Sequence, residues 1–311
     1  MPIAVQKKFG EDQAGNQAAL IAYHGFLSLF PLMLLAVAVL GFIVQSDAGA
    51  RQTILNSGLP NIPIIGTTLK DGHLVGSGVA IAVGGIGALW SGLAVTNVLQ
   101  NAFDQIGGVP YKSRPGFLHQ RMRGARLLFA IGLMELVTIA LTGVTSAGVG
   151  NLALDIAGIG VSILLNLALF AVAFRLLTDA SVPSRRLWPG VAMATAGWVL
   201  IQAVGGVYVR HVLTKASATY GGFAGVIGLL AWLYLGARVL VYGAELNSVL
   251  AHHYWPRSLF DPPTVADDDV RTSLAKVEER VDDQTVAVSF EPSEGARRRA
   301  VLIAKRPRKK H

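Results

Sequence analysis

Residues 20–44 read LIAYHGFLSLFPLMLLAVAVLGFIV, 25 positions without a single Asp, Glu, Lys or Arg. About 20 mainly apolar residues suffice for a helix to cross the hydrocarbon layer of a bilayer, so this stretch decides the class of the fold. A cleavable leader is the competing reading, because Ala48, Gly49 and Ala50 resemble a cleavage site. Leaders carry an apolar core of only about 7 to 15 residues behind a basic flank, whereas here Lys7 and Lys8 are offset by Glu11 and Asp12. An uncleaved span is therefore expected.

Working outward, the same test selects residues 74–103, 127–148, 156–174, 187–209 and 216–250. The third span includes one charge, Glu135, and the sixth carries Arg238 and Glu245. The uncharged stretch 52–69 is set aside because Gly58, Pro60, Pro63 and Gly66 interrupt it. The expectation is an all-α, polytopic membrane protein with six transmembrane helices.

Composition agrees. Charged residues make up 15% of the 311 positions, against about 25% in an average soluble domain. Residues 251–311 contain 22 of the 46 charges, which leaves 24 for the first 250 positions. A water-exposed surface cannot be built from so few, which excludes an ordinary soluble enzyme. With no cysteine there is no disulfide framework, thiolate metal site or cysteine nucleophile.

Orientation follows from the basic residues of alternate loops. Lys7, Lys8, Lys112, Arg114, Arg121, Arg123, Arg126, Arg175, Arg185 and Arg186 fall on one side, and Arg51, Lys70, Arg210 and Lys215 on the other. Both termini are thus expected in the cytoplasm. The chain divides into a cytoplasmic lead-in (1–19), a transmembrane domain (20–250) and a charged tail (251–311), the tail largely disordered with a polybasic end. That end holds Arg297, Arg298, Arg299, Lys305, Arg306, Arg308, Lys309 and Lys310, and near a membrane each such residue adds about 1 kcal/mol of attraction to anionic lipid. The net charge of +8 then reports lipid contact, and any nucleic-acid binding would be non-specific.

In lipid, helices associate through close backbone approach and a few polar contacts. Gly76, Ala80, Gly84, Ala88, Gly92 and Thr96 recur every four residues, a packing face whose partner is either internal or a second copy. Pro31 interrupts the hydrogen bonding of the first span and is either a fixed kink or a hinge. Pro189 stands at the start of the fifth, where proline is favoured.

Ionisable groups inside a span are costly and mark function or structure. Glu135, Arg238 and Glu245 allow an ion pair or triad, Arg238 and Glu245 being seven residues apart on one helix. Counted inward from the cytoplasmic ends, Tyr23, His24, Asn97, Asn166 and Gln202 fall at comparable depths. Two readings stand: an internal hydrogen-bond network, or a cavity open to the cytoplasm that receives a head group. No histidine has metal-ligand spacing to His24. No metal or cofactor is expected, and Asp267, Asp268 and Asp269 read as a solvated run.

Three blocks resemble the YihY/BrkB family of bacterial inner-membrane proteins. They are Glu11 and Asp12 with residues 18–23 (AALIAY) and 26–31 (FLSLFP); residues 89–91 (LWS); and residues 218–223 (ATYGGF), 230–235 (LAWLYL) and 243–247 (GAELN). The resemblance covers about residues 10–255 and adds Asn247 to the candidates; Arg238 departs from the apolar residue the pattern would carry there. It implies a six-helix protein of the cytoplasmic membrane, linked to envelope integrity and suspected lipid export, in a family once labelled ribonuclease BN. The residues disfavour a nuclease, since the membrane part offers neither clustered carboxylates for metal nor a histidine pair for acid–base work. No Walker A loop is present to use ATP. The expectation is a non-enzymatic protein that moves a lipid or other amphiphile, with anionic membrane lipids as partners and a second copy of itself as a further one. The alternative is a non-transporting scaffold.

Overall fold

The computed structural model describes residues 1–46, 78–147, 152–179, 182–208, 222–258 and 263–290. Among them are eight α-helices, two short 3-10 turns and no strand. Helix α1 (Pro2–Glu11) is short and amphipathic, and α2 (Ala14–Ser46), α3 (Gly78–Ile106), α4 (Phe117–Ala147), α5 (Leu152–Leu177), α6 (Trp188–Tyr208) and α7 (Gly222–His252) are long. Helix α8 (Val265–Val277) lies in the tail. Five of the long helices, all but α4, are apolar and long enough to cross a membrane. The chain is a multi-pass membrane protein.

The helix ends outrun the charge-free runs. Helix α4 begins at Phe117, ten residues before the apolar stretch, because a helix extends readily past it through the polar and basic residues Arg121, Arg123 and Arg126.

Backbone proximity builds the bundle. The α2–α3 contact is the most extensive, and α7 packs on α2 and α6. Gly84 is buried against Leu35 of α2: a Cβ there would lie 2.8 Å from the Leu35 backbone nitrogen. At Gly92 a Cβ would meet both Leu128 methyls of α4 at 3.1 Å. The Thr96 side chain is buried against Gly124 of α4. At Gly84, Gly92 and Thr96 the small-residue face of α3 is therefore used inside the chain, against α2 and α4; Ala80 and Ala88 are half-buried, and Gly76 lies outside the described residues. Pro31 lies within α2, which runs on as helix either side of it, and its ring abuts Gly87 of α3.

Helices α6 and α7 cross at Gly190 and Gly243, where a Cβ on Gly243 would lie 2.7 Å from the Gly190 carbonyl. Asn247 fastens this crossing: its Oδ1 accepts from the Gly190 N–H at 2.7 Å and its Nδ2 donates to the Leu187 carbonyl at 3.0 Å.

Within the tail, expected to be largely disordered, α8 is helical over Val265–Val277 and residues 278–290 carry no regular secondary structure. Val270 and Val277 of α8 are buried, and Val270 joins Ala4 and Val5 of α1 with Val249 and Tyr254 in a small core. Charge content hid this because the acids are partnered. Asp267 caps α8 in a reciprocal box with Thr264 and accepts from Lys7 at 2.6 Å and Arg257 at 2.7 Å. Arg257 also donates to both Glu11 oxygens at 2.7 Å. The basic residues 297–310 lie outside the described residues.

Candidate functional site

Helix α1 starts with Pro2 at its first turn, a position where proline lacks no needed donor. Ala4, Val5, Lys8 and Phe9 share one buried face. Gln13, at φ +52°, turns the chain into α2. This folds α1 back beside α7, where Phe9 stacks on Tyr242 with centroids 4.0 Å apart.

The fold-back delivers Lys8 into the protein. Lys8 is 3% exposed, Asp12 4% and Glu245 0%. Lys8 Nζ donates to an Asp12 oxygen in a very short contact, to Glu245 Oε2 at 3.1 Å and to the Ile106 carbonyl at 2.9 Å. Ser248 Oγ donates to the same carbonyl at 2.9 Å. Helices α1, α3 and α7 thus meet on one ammonium group. Burial alone would lower the Lys8 pKa, but the Glu245 and Asp12 carboxylates outweigh it, so Lys8 stays charged. Burial raises the Asp12 pKa despite Lys8. At Asp267, outside the bundle, the hydrogen bonds from Lys7, Thr264 and Arg257 overcome burial and hold the carboxyl far below its usual range.

Behind Ser248 and Ile106 opens a cavity of about 310 Å³. Its apolar wall includes Phe103, Ile106 and Val182, and its polar wall Thr178, Asp179, Asn247, Ser248 and His252. It lies where α3, α5 and α7 end. Arg123 donates to the Thr178 carbonyl at 2.7 Å beside it, and Arg186 to the Ala251 carbonyl at 3.5 Å. The neighbouring loop is pinned to the tail, with Lys112 Nζ 2.9 Å from Glu279. Asp104 is buried on α3, where the charges of Arg114 and Arg123 act on it.

The residues expected to meet in mid-membrane do not form one site. Glu245 pairs with Lys8, and among the described residues no ion pair joins it to Arg238 or Glu135, because Arg238 is turned onto aromatic rings instead. Arg238 lies 5.5 Å above the Phe9 ring, 5.7 Å from Tyr234 and 5.6 Å from Tyr242, and donates to Tyr242 at 3.3 Å. Glu135, Gln202 and Tyr23 face outward from the bundle. His24 Nδ1 lies 3.0 Å from the Leu20 carbonyl, Asn166 donates to its own helix at Ser162, 2.8 Å, and Asn97 is half-buried. Of the nine candidates, Asn247 alone lines the cavity. Lys8 and Asp12 were passed over as flanking charges, although their i, i+4 spacing beside buried Val5 and Phe9 was the available signal.

The fold and this buried polar end define a helical, multi-pass membrane protein. The profile of the virulence factor BrkB family matches residues 5–267, and the chain belongs to that family. It is 27% identical over 263 residues to the ribonuclease-like protein YfkH of Bacillus subtilis (strain 168), covering 76% of this chain and 89% of that one. It is also 27% identical over 270 residues to the inner membrane protein YhjD of Escherichia coli (strain K12), covering 79% and 80%. A UPF0761 membrane protein of Alkalilimnicola ehrlichii is 26% identical over 264 residues, covering 81% of this chain and 58% of that one. No solved structure matches the chain.

Proposed function

We propose that this protein moves a lipid or other amphiphile across the bacterial cytoplasmic membrane, in support of envelope integrity, with the cavity beside Ser248 and Asn247 receiving the head group. The observation that carries this reading is the cavity itself: polar groups and an apolar wall at one end of a membrane bundle, flanked by Arg123 and Arg186. A six-span topology with both termini cytoplasmic goes with it. Lys8 meets the end of α3 at Ile106, Gln100 of α3 donates to the Gln120 carbonyl at the start of α4, and Arg123 meets the end of α5. On this reading α4 runs to the far side and α5 back, with α4 as the sixth span. The ends so gathered carry Lys7, Lys8, Lys112, Arg114, Arg121, Arg123, Arg126, Arg175, Arg185 and Arg186, the basic set that marks the cytoplasmic side.

The reading treats the protein as a non-enzyme whose partners are anionic lipids, contacted also by residues 297–310. The scaffold alternative is weakened because the small-residue face of α3 is used internally at Gly84, Gly92 and Thr96, against α2 and α4. Purified protein in vesicles should accelerate transbilayer movement of head-group-labelled lipid over protein-free vesicles. Equal rates with a panel of anionic and zwitterionic lipids would refute the reading, and metal-dependent RNA cleavage by the same sample would replace it.

A further inference from the structure

Lys8, Asp12 and Glu245 bring one positive and two negative groups into a space closed to water. The three N–H bonds of Lys8 are all used, on Asp12, Glu245 and the Ile106 carbonyl. Among the described residues no donor reaches Asp12 Oδ1 or Glu245 Oε1, and both are buried. Both carboxyl groups lie against the same ammonium, Asp12 in the very short contact and Glu245 Oε2 at 3.1 Å. Two facing carboxylates sharing one cation cannot both stay ionised away from water. We infer that the Asp12–Glu245 pair is a proton-binding site, holding one proton between the two carboxyl groups while Lys8 remains an ammonium.

Other charges facing the cluster do not supply the missing donor. On α1, Glu11 is engaged by Arg257, which is itself divided between Glu11 and Asp267. On α7, Arg238 lies over the Phe9, Tyr234 and Tyr242 rings. From α3 the cluster receives only the Ile106 carbonyl, an acceptor, and Asp104 belongs with Arg114 and Arg123. The proton neutralises the cluster, and its loss leaves an excess negative charge buried at the seam of α1 and α7. Because Ile106 and Ser248 are shared with the cavity wall, the site reports proton activity to that wall whether or not the cavity carries lipid.

The test is infrared spectroscopy of the full-length protein in lipid nanodiscs, following the C=O stretch of protonated carboxyl groups at neutral pH. The wild type should show such a band, and Asp12→Asn and Glu245→Gln should each abolish it, since either leaves a neutral pair with Lys8. Lys8→Met should roughly double it, two carboxyls then lacking any cation. Asp104→Asn is the control and should leave the band affected by Asp12→Asn and Glu245→Gln in place. The two amide variants are near-isosteric, so the assignment does not depend on Lys8→Met folding. Absence of a band sensitive to both Asp12→Asn and Glu245→Gln overturns the inference.

Discussion

Replacing Lys8 by methionine removes the cation that, among the described residues, joins two buried carboxyl groups, while keeping much of the side-chain volume. Surface ion pairs are worth about 0 to 1 kcal/mol, but breaking a buried pair costs about 3 to 5 kcal/mol, because the partner stays behind uncompensated. Lys8 serves two acids and the Ile106 carbonyl, so the upper part of that range applies at neutral pH. At about 1.4 kcal/mol per tenfold, amide protection in α1 should fall roughly a hundred- to a few thousand-fold, up to the full docking stability of the helix. Hydrogen exchange of residues 5–12 in nanodiscs reads this directly. The loss should shrink as pH falls, since the protons that neutralise the stranded carboxyls cost less to take up in acid. In the triple variant Lys8→Met, Asp12→Asn, Glu245→Gln protection should largely return, as removing every charge is far milder than removing one. A change below about tenfold in Lys8→Met, or one that grows in acid, would refute the reasoning.

Three further outcomes follow from the packing. Gly84→Leu drives a side chain into the Leu35 backbone and should cost about 1 to 3 kcal/mol or more, read as a lowered unfolding temperature in detergent, with Gly85→Leu as the milder control. Asn247→Ala strips the Gly190 N–H and the Leu187 carbonyl of their partner and should cost about 1 to 3 kcal/mol, visible as faster exchange at the start of α6. The Asp267 pKa is depressed in the folded state, so its contribution is present above the ordinary Asp value and is lost as pH falls below it; limited proteolysis should release 263–290 in strong acid, and Asp267→Asn should release it already at neutral pH. The raised Asp12 pKa has the opposite sign, so α1 docking weakens as pH rises through that value.

Five of the spans were legible because a bilayer imposes a length and an absence of charge that single residues report. The helix ends were not: α4 starts at Phe117 and α7 ends at His252, since a helix can continue into water with polar residues the apolar test discards. For Glu245 the sequence offers Arg238 and Glu135 as neighbours within the spans, and the structure pairs it elsewhere. The partner is 237 positions distant, delivered by the turn at Gln13 that folds α1 back. The tail misled for a related reason. Net charge density says nothing of pairing, and Arg257, Asp267, Glu11 and Lys7 neutralise one another across the whole length of the chain.

The central claim is that lipid passes by way of the cavity at the ends of α3, α5 and α7. It is tested most directly by the rate of head-group-labelled lipid movement in vesicles holding the wild type, Ala251→Trp or Leu164→Trp. Ala251 lines the cavity, and Leu164 is exposed on the outer face of α5. The account predicts that Ala251→Trp falls to the protein-free rate while Leu164→Trp keeps the wild-type rate. Ala251→Trp moving lipid as fast as the wild type would contradict it.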